Sequence, residues 1–122
     1  EAQLYESVCA FWPRGDVPQA FYTVASAQVP VLLLSGGADP VTPPHHGARV
    51  ALALGPKAQH LVVPHAGHGV MGLGCMRDVV QRFVTAAEDA GALLQDATCA
   101  TRVPRPPAFL PVRAGSVKED RP

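Results

Sequence analysis

Between Pro30 and the pair Gly36-Gly37 runs an uninterrupted apolar stretch, Val31-Leu32-Leu33-Leu34-Ser35, and it constrains the fold more than any other feature of the chain. The run has the length of a strand and lacks the polar alternation of a strand with one wet face, which predicts a strand covered on both faces inside a sheet. A second short run, His60-Leu61-Val62-Val63-Pro64, reads the same way. Between them, Thr42-Pro43-Pro44 offers a hydroxyl N-cap and a proline at the first helical position, so a helix is expected from about His45 to Leu54, ended by Gly55-Pro56. A longer helix is expected to begin near Cys75. Its apolar positions Met76, Val79, Val80, Phe83, Val84 and Ala87 recur at helical spacing, while Arg77, Asp78, Gln81, Arg82 and Glu88 take the wet face. Strand, helix, strand, helix is the alternation of the α/β class, with a parallel sheet and covering helices.

Two apolar parallel strands leave both edges of their sheet unpaired, and so short a segment cannot cover both faces. The sheet is therefore expected to be incomplete and to need strands that this chain does not contain. The first residue is Glu1, not Met, and no secretory signal pattern follows, so the natural start is expected upstream. Three parts are read along the chain. Residues 1–29 form a short helix over Ala2 to Trp12, stopped by Pro13 and Gly15, and a connector with Phe21, Tyr22 and Val24 half-buried. Residues 30–99 hold the α/β segment. Residues 100–122, with Pro104, Pro106, Pro107 and Pro111, form an extended tail.

Composition removes several functional classes. Ten acidic and ten basic residues cancel without a run of either sign, which gives no electrostatic footprint for nucleic acid or an anionic membrane. The longest strongly apolar run, Val29 to Leu34, contains a proline and is far shorter than the roughly 20 residues that cross a bilayer. Cys9, Cys75 and Cys99 have no CxxC spacing and fit one disulfide plus one orphan, favouring an oxidising compartment. Five histidines raise a metal reading, but His65 and His68 lie three apart in a glycine loop, not on one helical face, and His45 and His46 simply open a helix. No cofactor is expected.

Two residues stand where α/β sheets carry function. Asp39 follows the first strand directly, in Gly36-Gly37-Ala38-Asp39-Pro40, and His68 follows the second, between Gly67 and Gly69. Gly, Asp and Pro are also ordinary turn residues, so a plain turn competes for Asp39, as a solvated loop competes for an isolated histidine. Adjacent strand ends alter that balance. A histidine base needs an acceptor on Nδ1 to leave Nε2 free for a proton, and a carboxylate on the neighbouring strand end supplies it.

The run Leu34-Ser35-Gly36-Gly37-Ala38-Asp39-Pro40-Val41-Thr42-Pro43, followed by Ala66-Gly67-His68-Gly69, resembles the acid and histidine motifs of α/β-hydrolases, in the order Asp then His. The nearer resemblance is to the C-terminal region of the tripeptidyl-aminopeptidase-like group, related to proline iminopeptidases, and it spans Cys9 to Pro107. Cys9-Ala10-Phe11-Trp12-Pro13 and the cysteines Cys75 and Cys99 around the last helix also resemble that group. The resemblance implies the C-terminal part of an α/β-hydrolase fold, preceded over residues 1–29 by chain from the cap side, with a Cys75–Cys99 disulfide and Cys9 paired upstream or reduced. It implies a secreted or periplasmic serine exopeptidase acting at peptide N-termini, in which Asp39 and His68 are the triad acid and base. Ester hydrolysis is the nearest rival chemistry, and a non-catalytic binding module is the alternative from another class. The chain departs from the group in one respect: Ser7, Ser26, Ser35 and Ser116 are its serines, and none lies in a G-x-S-x-G elbow. The remainder of the hydrolase domain is thus the expected partner, a peptide or small ester the expected substrate, and the isolated chain is expected to be inactive.

Overall fold

Proline and glycine punctuate this chain so firmly that the main elements begin and end at them. In the computed structural model, which describes residues 2–107, helix α1 spans Ala2–Ala10 and a 3-10 turn spans Gln19–Tyr22. Strand β1 (Val31–Gly36) follows Pro30, helix α2 (Pro44–Leu54) ends against Gly55, and strand β2 (Ala58–Val63) stops before Pro64. Helices α3 (Met76–Val84) and α4 (Asp89–Leu93) and a second 3-10 turn (Thr98–Arg102) complete the described chain. Of the tail read from the sequence as extended, residues 100–102 instead stand in this 3-10 turn, and the part beyond 107 lies outside the described residues.

The two strands pair in parallel, with Val31 opposite Ala58 and Gly36 opposite Val63. Side chains alternate between the faces of a strand. The Leu34, Leu61 and Val63 face meets Met76 and Val79 of α3 and Ala100 of the 3-10 turn, forming the apolar core with Ala66 and Val70. The opposite face carries Ser35 and His60, whose Oγ and Nε2 lie 2.9 Å apart. Helix α2 crosses them at Gly47, where a Cβ would come within 2.5 Å of the His60 ring, so the missing side chain sets how closely α2 approaches the sheet. Burial pushes the His60 imidazole below its ordinary pKa.

Several expectations need correction. Val31 to Ser35 are only half-buried, short of the covered strand their apolar run predicts and in line with a segment too short to cover both faces. Helix α3 stops at Val84: the Thr85 hydroxyl donates to the Gln81 carbonyl at 2.8 Å and the chain turns away. Val84 and Ala87, assigned to the apolar stripe, are exposed. Phe21, Tyr22 and Val24, expected half-buried, are 76%, 68% and 46% exposed, and the two rings meet edge to face. Cys75 and Cys99 are joined as a disulfide, which ties the start of α3 to the turn that carries Ala100, and Cys9 is free and exposed.

Candidate active site

Parallel pairing brings the C-terminal ends of β1 and β2 side by side, and glycine brings them closer than other residues allow. A Cβ on Gly36 would collide with the carbonyl oxygens of Ala66 and Gly67, and one on Gly37 with the backbone of Pro64. The two loops are then stitched together by Gly37 N–H to the Val63 carbonyl at 2.8 Å and Ala38 N–H to the Ala66 carbonyl at 2.9 Å. On the histidine loop, Gly69 has φ of 87°, a left-handed conformation that favours glycine. Gly67 is not so constrained: it has no positive φ, and a Cβ there would meet open space. Of the two glycines expected to free this loop, Gly69 is the one the backbone requires.

Asp39 is buried at the end of β1, and every lone-pair direction of its carboxylate is occupied. Oδ1 accepts from the amides of Val41 at 2.8 Å and Thr42 at 3.2 Å. Oδ2 accepts from the Thr42 hydroxyl at 2.7 Å and from His68 Nδ1 at 2.9 Å. Burial by itself would push this carboxyl up, but the hydrogen bonds from Thr42, His68 and Val41 outweigh it and hold the group well below the usual carboxylate range. An ionised carboxylate can only accept, so Nδ1 of His68 carries the hydrogen and Nε2 is left unprotonated in the neutral ring. His68 itself has 63% of its side chain exposed, against 4% for Asp39. The carboxylate is fixed within the fold, and the imidazole projects from it.

The turn reading of Asp39 is met by one oxygen, and the other is left to face the histidine. Oδ1 closes an Asx-type turn on the amides that follow, and Oδ2 faces the histidine. Thr42 departs from its expected role. Pro43 occupies the N-cap of α2 without a side-chain bond, and the Thr42 hydroxyl turns back to Asp39. The signal available in the sequence was the spacing Asp-x-x-Thr, which sends a hydroxyl back over the carboxylate it follows.

Two clefts meet at His68. The smaller, about 450 Å³, is lined by Asp39, Thr42 and His68 together with Met71. The larger, about 720 Å³, borders His68 but neither Asp39 nor Thr42, and its walls include Leu73, Val103, Pro104, Arg102 and Arg105. His65 lines that cleft, while His45 and His46 stack with ring centres 4.1 Å apart at the start of α2. Among the described residues no three His, Cys, Asp or Glu side chains are grouped to hold a metal ion.

A parallel strand pair, flanked by helices and delivering a carboxylate and an imidazole from adjacent strand ends, has the architecture of an α/β-hydrolase segment. The chain belongs to the family described as TAP-like protein within the α/β-hydrolases, whose family model matches residues 1–106. Nothing among the curated proteins or the solved structures matches the chain. No helix among the described residues is long and apolar enough to cross a membrane.

Proposed function

We propose that this chain is the C-terminal part of a secreted or periplasmic serine hydrolase, supplying Asp39 and His68 as acid and base to a serine carried elsewhere in the hydrolase domain. The observation that carries the reading is the 2.9 Å hydrogen bond from His68 Nδ1 to the buried Asp39 Oδ2, made between the ends of two paired parallel strands. In this reading the serine hydroxyl attacks a carbonyl carbon while His68 Nε2 takes its proton. Asp39 stabilises the imidazolium that forms, and Nε2 then returns the proton to the departing group. Water repeats the sequence to free the acyl enzyme. Asp39 suits the task because it stays ionised throughout, and His68 because its exposed side chain leaves Nε2 reachable.

Family membership supports a hydrolase fold and, through the TAP-like group, an exopeptidase acting at peptide N-termini. The larger cleft borders His68 away from Asp39, which suits it to receive the group that Nε2 protonates on departure. The disulfide fits export to an oxidising compartment. The test is turnover of peptidyl amides by the full-length polypeptide carrying this sequence, before and after His68→Ala. Loss of turnover by a factor of about 10⁴ with an unchanged fold is expected. Unchanged turnover removes His68 from the chemistry, and His68-dependent turnover of esters alone assigns the same residues to an esterase.

A further inference from the structure

Thr42 contributes more to the Asp39–His68 pair than its place between a turn and a helix requires. Its amide donates to Asp39 Oδ1 at 3.2 Å, its hydroxyl donates to Oδ2 at 2.7 Å, and the same Oγ1 lies 3.3 Å from His68 Nδ1. A hydroxyl has one hydrogen, and the shorter contact to an ionised oxygen claims it. What Oγ1 turns toward Nδ1 is therefore a lone pair. The Nδ1 hydrogen thus faces two acceptors, Oδ2 at 2.9 Å and Oγ1 at 3.3 Å, and the opposite tautomer would have no donor to meet on that side.

From this geometry we infer that Thr42 is a positioning residue of the acid–base pair, acting through Asp39 and His68 and not on substrate. This rests on the assignment of those two residues above. The Thr42 hydroxyl fills the fourth acceptor site of the carboxylate. Without it Oδ2 has a free lone pair beside an exposed imidazole, water enters, and His68 is the one protein donor left on that oxygen. Valine keeps the β-branched shape and the backbone bond to Oδ1 but removes both side-chain contacts, and serine restores them without the methyl.

The experiment compares Thr42→Val, Thr42→Ala and Thr42→Ser with the parent in the full-length polypeptide, reading kcat and KM separately and the His68 ring nitrogens by NMR. Thr42→Val and Thr42→Ala are expected to lower kcat about tenfold at unchanged KM, the rate equivalent of ~1.4 kcal/mol. Their Nδ1–H resonance is expected to broaden by exchange with water, and serine to recover the parent's values within about twofold. Valine or alanine variants that keep the parent's kcat and a sharp Nδ1–H overturn the inference, as does a serine variant as impaired as valine, since the hydroxyl would then be present without effect. A parent whose turnover ignores His68→Ala sinks the acid–base assignment itself, an outcome distinct from either.

Discussion

Substituting Gly36 by alanine tests whether glycine-permitted contact between the strand ends builds the site. The new Cβ would stand 2.5 Å from the Ala66 carbonyl oxygen, with the Gly67 carbonyl also in its way, where an ordinary contact needs about 3.5 Å. Both obstacles are backbone, so no rotamer change relieves them, and because the Gly67 oxygen is the nearer of the two the β1 turn must part from the histidine loop by more than about 1 Å. Separation of that size carries the Ala38 N–H to Ala66 carbonyl bond from 2.9 Å past the hydrogen-bonding range, and the Asp39 to His68 bond, also 2.9 Å, with it. Overpacking costs about 1–3 kcal/mol and each of the two lost hydrogen bonds about 1 kcal/mol, so a loss of about 3–5 kcal/mol is expected. Urea unfolding measures the stability, and the Nδ1–H resonance of His68 reports the pair. Gly67→Ala is the control: its Cβ meets open space and its backbone has no left-handed φ, so it should leave stability unchanged or slightly raised. Parental stability and an intact Nδ1–H signal in Gly36→Ala, or equal damage from Gly67→Ala, would refute the reasoning.

Replacing Cys75 and Cys99 together by serine should lower stability by about 3 kcal/mol, since the bond closes a loop with a sequence separation of 24, and denaturant midpoints with and without reductant check it. His60 should impose a pH dependence of its own. Its folded pKa lies below the unfolded value of about 6.5, so the stability linked to the neutral ring is complete above that pH. It is lost as pH falls through the unfolded and then the folded value. Thermal melts should show this drop in the parent and a flatter profile in His60→Gln. Gly69→Ala, at φ of 87°, should cost about 1 kcal/mol of stability in the same melts through backbone strain alone.

Strand β1, helix α2 and the approach of Asp39 to His68 were legible because local rules governed them. An apolar run bounded by proline and glycine can hardly be other than a strand, and parallel neighbours put their C-terminal ends together. The end of α3 was not legible, because Ala87 keeps the helical period after the helix has ended at Val84. The exposure of Phe21 and Tyr22 was hidden for a different reason: an aromatic residue in an aperiodic segment carries no local sign of what covers it. Thr42 was misread because a hydroxyl before two prolines satisfies the helix-cap rule equally well. Only the proximity of Asp39 decides where that hydroxyl points.

In the proposed function, Asp39 and His68 serve a serine carried outside this sequence. Fluorophosphonate labelling of the natural polypeptide, followed by mapping of the modified peptide, tests it most directly. One labelled serine is expected in a G-x-S-x-G elbow, on the same polypeptide as Asp39 and His68 but outside residues 1–122, with labelling suppressed in His68→Ala. A polypeptide that carries Asp39 and His68 yet takes no label would contradict it and leave the pair as a structural hydrogen bond in a binding module.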